Sequence, residues 1–507
     1  MESEDKKIVI PILIIIILAV ALGLIIKIGV IDKNKSNSEE ASSTEEAEII
    51  EESKNVSVQT TGETSYTDFD SKIDLSKMTS SGSGVSINGS TVKISSGGVY
   101  YFTGTLSDGK IEVEAKGEEV ILVLDGVDIT CKTTSPLNII KAETVIINLV
   151  DGSENVFTDG SEYSEFTEDD EPDGTIFSKA DLYINGSGTL KVNGNYEDAI
   201  VSKDSLVIEG TNIEVSSADD GIRGKDFVSI KDAKITVNSD GDGIKSTNDT
   251  DKTLGYVIVE DSEITINAGS DGIEAATFIK INSGTINIKD SYEGIEATYI
   301  EINGGDITIE AKDDGINISG GNDSSAINGR PGENDYSNSA NSDRKLMITG
   351  GKIYVSSQGD GLDSNGSIEM TGGYVVVAGS VNGGNGALDY DQSFNITGGT
   401  LIAYGANGMW QNPSNSSSQY SICFGVTGKS GDKLVLKDSN GNEIASTEAT
   451  KAYGAIVISS SDLKQGETYS LFVNGSESSS QTLTSIVTSN LSGEMNGGMP
   501  GGGMQTR

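Results

Sequence analysis

An all-β fold, a right-handed parallel β-helix with three short strands per coil of about 22 residues, is what this sequence predicts, on three observations. First, between Tyr196 and Asp389 an acidic residue followed by Gly or Ala and then an aliphatic keeps returning, as in SADDGIRGKD, SDGDGIKSTND, GSDGIEAAT and SYEGIEATY. The acids are Asp198, Asp220, Asp242, Asp271, Glu293, Asp314 and Asp360, at steps of 22, 22, 29, 22, 21 and 46 residues. A fixed period of this size marks a solenoid, whose units bury their apolar faces only against their neighbours. Second, each period holds two more short runs that alternate Ile with polar residues, such as FIKIN and TINIK after Asp271. Period-2 runs of four or five residues are half-buried strands and too short for helices. Third, Gly recurs where these runs meet, and glycine supplies the positive φ of a tight corner.

In chain order, residues 8–26 are 19 apolar residues flanked by Lys6, Lys7 and Lys27, long enough to cross a bilayer as one helix. The run exceeds the apolar core of a cleaved signal peptide, so residues 1–30 read as an uncleaved membrane anchor with the body outside. Residues 31–65 are Ser-, Glu- and Asn-rich and read as a disordered, self-repelling stalk. From 66 to 420 runs the β-helix, its first coils less regular. An acidic excursion from Asp151 to Gly174 reads as either a solvated loop or a cation-binding one. The long steps place insertions at Asn248–Gly255 and, roughly one period in size, at Gly320–Arg344. Residues 421–490 have longer strands and an Asn-Gly hairpin signal, reading as an antiparallel β module that caps the open sheet end. Residues 491–507 are Gly/Met-rich and read as disordered.

Composition narrows the function. A net charge of -42 with no histidine excludes nucleic acid as a partner and removes His-activated nucleophiles and His-rich zinc sites. Cys131 and Cys423 form no metal or redox motif and read as buried apolar residues. The third residue after each acid gives a second column: Val201, Arg223, Lys245, Glu274, Glu296, Asn317, Asp363 and Asp389. In a β-helix it stands beside the leading acids on one outer face, mixed in charge at first and then acidic. Carboxylates one strand spacing apart repel by roughly 1 kcal/mol in water and more at lower dielectric. Calcium, with six to eight oxygen ligands, suits such a ladder. The candidate ligands are Asp242, Asp271, Glu274, Glu293, Glu296, Asp314, Asp360, Asp363 and Asp389. Two plainer explanations compete: Lys245 pairing with Glu274, and each leading Asp capping its own turn.

The strings TIFSKADLYINGSGTLKVNG, YEDAIVSKD, ADDGIRGKD, GDGIKSTNDTD, SDGIEAAT, DDGINISGGNDSS and GANGMWQNPSNSSSQ resemble a clostridial carbohydrate-binding β-helix family. That family is described as polysaccharide-lyase-like, binding cellulose and polygalacturonate and carrying calcium. The resemblance runs from Val85 to Ser421 and implies a β-helix, surface display and carbohydrate binding. The expected function is therefore non-catalytic, calcium-dependent binding of cell-wall polysaccharide by a monomeric body held at the cell membrane by one span. Trp410, Tyr292 and Tyr390 are the candidate sugar platforms, with Tyr196 also available. A calcium-dependent uronate lyase is the alternative, with Arg223, Lys225 and Lys245 near the acids as candidate bases. A structural adhesin or spacer is the third possibility.

Overall fold

The computed structural model describes residues 49–166, 171–319 and 344–491. All of them belong to one compact unit, Glu46–Arg507. The anchor expected at 8–26, the loop at 320–343 and the tail from 492 lie outside the described residues. Among the described residues no helix is long and apolar enough to cross a membrane.

The body is all-β, built on one large and mostly parallel sheet. Its regular part repeats three strands, for example Asp198–Ser202, Ser205–Glu209 and Asn212–Ser217. The next three are Ile222–Gly224, Phe227–Lys231 and Lys234–Ser239. Each pairs in parallel with its counterpart one period on, Ile200 with Ile222, Leu206 with Val228 and Ile213 with Ile235. The chain thus returns to the same place every 22 residues, making layers with three strand columns. The second and third columns each turn two aliphatics per strand inward, such as Leu206 with Ile208 and Ile213 with Val215, and in the first column Ile200, Ile222, Ile244, Ile273, Ile295, Ile316 and Leu362 stack as a continuous buried ridge. Neither long step disturbs this register. Ile244 still pairs with Ile273 across the 29-residue step, and Asn317 with Asp363 across the 46-residue one.

The corners differ in what they ask of glycine. Between the second and third columns, Gly284 has φ +112°, and Asp261 takes φ 49° there one layer earlier, so this bend does need left-handed backbone. At the acid corner the expectation of positive φ fails, and the requirement is space. A Cβ on Gly294 would lie 2.2 Å from Gly315 O and 2.3 Å from Ile309 Cγ2. Side-chain-free backbone lets one layer rest on the next while the third column's aliphatics press from inside.

Both ends depart from the repeat. At the first, Ser71–Asp74 pairs antiparallel with Thr79–Gly82, and Val85–Asn88 with Thr91–Ile94. At the other, Thr400–Gly405 is met antiparallel by Ala455–Ser460, and a separate four-stranded antiparallel sheet follows (Lys433–Asp438, Glu443–Glu448, Thr468–Val473, Ser476–Thr482). Their shared core includes Tyr404, Phe424, Tyr453, Ile456 and Tyr469, so the last parallel strand is covered. Cys131 and Cys423 are buried, without a disulfide.

The stalk expectation is corrected for the part that is described. Residues 49–55 are helical and the chain to Thr64 lies along the second column as a strap. Ile49, Ile50, Val56 and Val58 cover an aromatic ladder of Phe227, Tyr256, Phe278 and Tyr299. In that ladder Tyr256 stacks on Phe227 at 5.0 Å and on Phe278 at 4.7 Å. Lys280 Nζ donates to Ser53 O at 2.8 Å, Gln59 N to Ser229 Oγ at 2.8 Å, and Thr61 N to Glu209 Oε2 at 2.6 Å. Asn185 Nδ2 reaches Thr61 Oγ1 at 2.9 Å and Asn148 Nδ2 reaches Thr64 O at 2.9 Å.

Replacing Gly294 by Ala forces two backbones apart and is expected to cost about 1–3 kcal/mol in chemical denaturation. A loss below a few tenths would show that the layers are not in limiting contact at this corner.

Candidate functional site

The repeat acids build a hydrogen-bond ladder along the acid corner. Asp198 Oδ1 accepts the backbone N–H of Asp220 at 2.9 Å, Asp220 Oδ1 that of Asp242 at 2.9 Å, and Asp242 Oδ1 that of Asp271 at 2.8 Å. Asp271 Oδ1 accepts from Glu293 N at 3.2 Å, and Asp314 Oδ1 from Asp360 N at 2.6 Å. Asp360 completes the series on Gly386 N. Each of these six Asp carboxylates therefore caps the next layer instead of its own turn, which corrects the Asx-turn explanation, while Glu293 accepts from Asn317 Nδ2. The second oxygen of Asp198 accepts from Arg223 and that of Asp242 from Lys245, both in the neighbouring column.

That column has the register counted from the sequence: Val201, Arg223, Lys245, Glu274, Glu296, Asn317 and Asp363 pair in succession. It is not an open outer face, however. Glu274 is 5%, Glu296 2% and Asn317 4% exposed, and the leading Asp271 is 4% exposed. Covering the column raises the cost of every charge on it.

The first layers carry their own cations. Arg223 Nη2 reaches Asp173 at 2.8 Å and also Asp198, while Lys245 Nζ lies 2.5 Å from Asp242 and 2.7 Å from Glu274. Burial opposes ionisation of Asp242, but Lys245 and the Asp271 N–H outweigh it and hold its carboxyl below the usual range. Burial and the Asp242 charge push Glu274 up to about 7 in spite of Lys245. Further along, Asp271, Asp314, Asp360 and Asp363 have no ion pair among the described residues. Burial, followed by the charges of Asp242, Glu293, Glu296 and Glu274, pushes Asp271 well above the carboxylate range. Burial and Asp363 do the same to Asp314, burial and Asp360 to Asp363, and burial brings Asp360 to about 7.

Of the nine expected ligands, five come together in two groups that share Asp271. Asp242, Asp271 and Glu274 each bring an oxygen within 4.8 Å of the others, and so do Asp271, Glu293 and Glu296. Asp314, Asp360, Asp363 and Asp389 influence one another electrostatically without reaching that mutual distance. Two contributors were missed from the sequence. Asp198, Asp219 and Asp220 form a third group, with Arg223 upon it. Asn317 is the other: its Nδ2 donates to Glu293 Oε2 at 2.8 Å, and its Oδ1 is buried without a hydrogen-bond partner. Asn317 has its place in the column counted from the sequence, but as a neutral residue it was not among the expected ligands. The donor set around Asp271 is thus all oxygen, hard and largely anionic, which fits calcium.

The candidate bases fare differently. The acids around Arg223 and Lys245 outweigh burial and raise both above their ordinary values, so their protons are held. Lys225 is exposed. The expected sugar platforms do not form one surface. Trp410 is 3% exposed in the core, with Nε1 donating to Asn412 Oδ1 at 2.9 Å, so it is no open shelf. Tyr390 is half-buried, donates to Asn412 O, and shares with Trp410 a cleft of about 500 Å³ lined also by Gln411 and Thr488. Tyr292 is half-buried at the acid corner.

This fold and corner define an all-β protein organised on one large, mostly parallel sheet with buried carboxylates stacked along an edge. The family model for carbohydrate-binding domain-containing proteins matches residues 88–338 and 334–478, and the chain belongs to that family. A carbohydrate-binding domain-containing protein of Acetivibrio thermocellus is 43% identical over 136 residues, 26% of this chain and 48% of that protein. The chain spans about half the length of this curated relative. Among solved structures, the polysaccharide lyase-like protein from C. thermocellum, a gadolinium derivative, is similar with a TM-score of 0.40 and 34% identity. The likeness covers 48% of this chain and 95% of that one.

The raised carboxyls set a sign for pH dependence. Glu274 and Asp360 sit near 4 in an unfolded chain and near 7 here, so their contribution is fully present below about pH 4 and is lost as pH rises through 7. Asp242 and Asp173, held low, act in the opposite sense only at more acidic pH. In chelator, the melting temperature is expected to fall from pH 5 to pH 8. A flat or rising profile would contradict the assignment of these buried acids.

Proposed function

We propose that the protein is a non-catalytic, calcium-dependent polysaccharide-binding protein, wound as a right-handed parallel β-helix and held outside the cell at the membrane by residues 8–26. The observation that carries the reading is the group of Asp271, Glu293 and Glu296 with Asn317 Oδ1 beside it, in a chain whose family is carbohydrate-binding. Asp242, Asp271 and Glu274 would be the weaker site, because Lys245 Nζ already occupies the position between Asp242 and Glu274. Calcium would neutralise the buried acidic corner and so lessen its repulsion of an acidic polymer on the surface. Asp271, common to both groups, would be the central ligand, and Asp314, Asp360, Asp363 and Asp389 would extend the ladder. A lyase needs an unprotonated base, and of the three candidates Arg223 and Lys245 are committed to ion pairs that hold their protons while Lys225 is exposed, away from the buried acids, which favours binding over elimination.

Titrating polygalacturonate into the protein is expected to give heat with calcium and none with excess chelator, with no rise in the absorbance of unsaturated uronate. Asp271→Asn keeps an Oδ1 for the Glu293 N–H while removing the shared charge. It is expected to weaken calcium binding roughly tenfold or more, with the fold intact. Unsaturated product would replace the reading with a lyase, and unchanged calcium affinity in the variant would remove Asp271 from the site.

A further inference from the structure

We infer that the protein binds a linear polyamine, a methylene chain punctuated by ammonium groups, in a cleft between the second and third columns beside the strap. The site lies apart from the acid corner and does not depend on the polysaccharide reading. The cleft has a volume of about 600 Å³, within the range of small-molecule sites. Its walls change along its length. Tyr66, Phe69 and Tyr101 line one end, Val123 and Val150 continue the apolar wall, and Asp151, Glu209 and Asp232 line the remainder. Tyr101 pairs with Val123, Val123 with Asn148 and Asn148 with Asn185, and Glu209 lies one layer further on. The aromatic end and Glu209 are therefore four strand spacings apart, about 19 Å. An extended chain can touch both, and a compact ligand cannot.

The aromatic end already holds an ammonium. Lys72 Nζ, on an exposed residue, lies 5.0 Å from the centre of the Phe69 ring and 5.6 Å from that of Tyr101. The two rings are 4.8 Å apart and pack, with Tyr66, on the cluster of Ile121, Val123 and Ile146. The Tyr101 hydroxyl donates to Asp125, which fixes that ring and adds a negative charge beside it. Rings held in this way receive an alkylammonium without rearrangement, the charge over their faces and the adjoining methylenes against apolar surface. Lys72 shows the fit with a group of the chain itself, and its flexible stem lets it give way to a ligand.

The acidic part is positioned and left without a counter-charge. Thr61 of the strap donates to Glu209 Oε2 through its N–H at 2.6 Å and its Oγ1 at 2.8 Å, and Ser187 Oγ donates to Asp151 Oδ1 at 2.8 Å. Asp232 stands exposed at a corner with left-handed backbone, φ 49°. Among the described residues none of the three forms an ion pair, and no Lys or Arg lines the cleft. Lys231, which feels both Glu209 and Asp232, is paired with Glu260 at 3.1 Å. The three carboxylates also do not gather as those of the acid corner do, so a single metal ion does not match them. In a chain of net charge -42 such a lining turns away anions, and a neutral chain would leave its charges unanswered. A polyamine meets every part: ammonium on the rings, methylenes on the valines, and further ammonium groups on the carboxylates.

The test is calorimetric titration of spermine into the whole protein at physiological ionic strength, with tetraethylene glycol as an uncharged chain. Heat is expected with spermine and none with the glycol. Glu209→Gln/Asp232→Asn keeps an acceptor for Thr61 and a residue that tolerates left-handed backbone, so it removes two charges and little else. It is expected to weaken spermine binding roughly fivefold or more, with the wild-type melting curve. Lys72→Met frees the ring faces and is expected to strengthen binding about twofold or more. Glu448→Gln/Glu477→Gln makes the same charge change on two exposed residues of the C-terminal module and is expected to leave the affinity unchanged. No heat with spermine, or full affinity in the Glu209/Asp232 variant, would overturn the site. An equal loss in the Glu448/Glu477 variant would do so too, since the attraction would then be diffuse. Weaker binding in Lys72→Met would remove the aromatic end from it.

Discussion

The contact on which the rest depends is the seating of one acid corner on the next. Glycine brings the backbones together: Gly243 N donates to Asp271 O at 2.8 Å and Gly272 N to Glu293 O at 3.0 Å. The leading carboxylate then satisfies the one backbone N–H that such close packing would strand. With that corner fixed, the spacing of the layers is fixed, and the aliphatic ridge and the other two columns follow in register. The solution carries its own difficulty. Each layer that gains a capped N–H also gains a buried carboxylate a strand spacing from the last, so the architecture accumulates negative charge as it grows.

The chain answers that accumulation in two ways. In the early layers Arg223 and Lys245 stand where later layers have Glu274, Glu296 and Asp363, and their guanidinium and ammonium groups neutralise the acids beside them. From Asp271 onward the described residues supply no such cation to the leading Asp residues, and the carboxyls are pushed toward the protonated form. One column of one repeated motif thus changes from an internally balanced salt-bridge face to one of closely stacked buried carboxyls. The change comes from substitution at a single repeat position, with the backbone unaltered.

Much of this was legible because counting along a parallel stack is the same operation as pairing its strands. Once the acids were aligned, the partner of Lys245 had to be Glu274 and that of Glu274 had to be Glu296, and both pairs are present. Side-chain contacts, whether between layers or outside the repeat, were not legible. The partner of each Asp carboxylate lies a full layer away, whereas local sequence suggests a turn. Trp410 sits among Gly, Asn, Gln and Pro, which reads as an exposed loop, yet its indole fills the core and its N–H is satisfied by Asn412. Residues 49–64 are too poor in apolar groups to fold alone, but a ready-made aromatic ladder needs only Ile49, Ile50, Val56 and Val58 to be covered. Composition judges whether a segment can build a core, and it is silent on whether one is waiting for it.

That strap has a mechanical consequence. Its contacts follow one another along the stack, from Tyr299 and Lys280 at Ile49–Ser53, through Ser229 at Gln59, to Asn185 and Asn148 at Thr61–Thr64. A load applied at Ile49 meets them in succession, as a zipper, because they belong to successive layers. Peeling would release the strap from the sheet before any layer-to-layer seat was strained. Peeling thus parts one or two side-chain contacts at a time, whereas separating two layers breaks three strand pairings together.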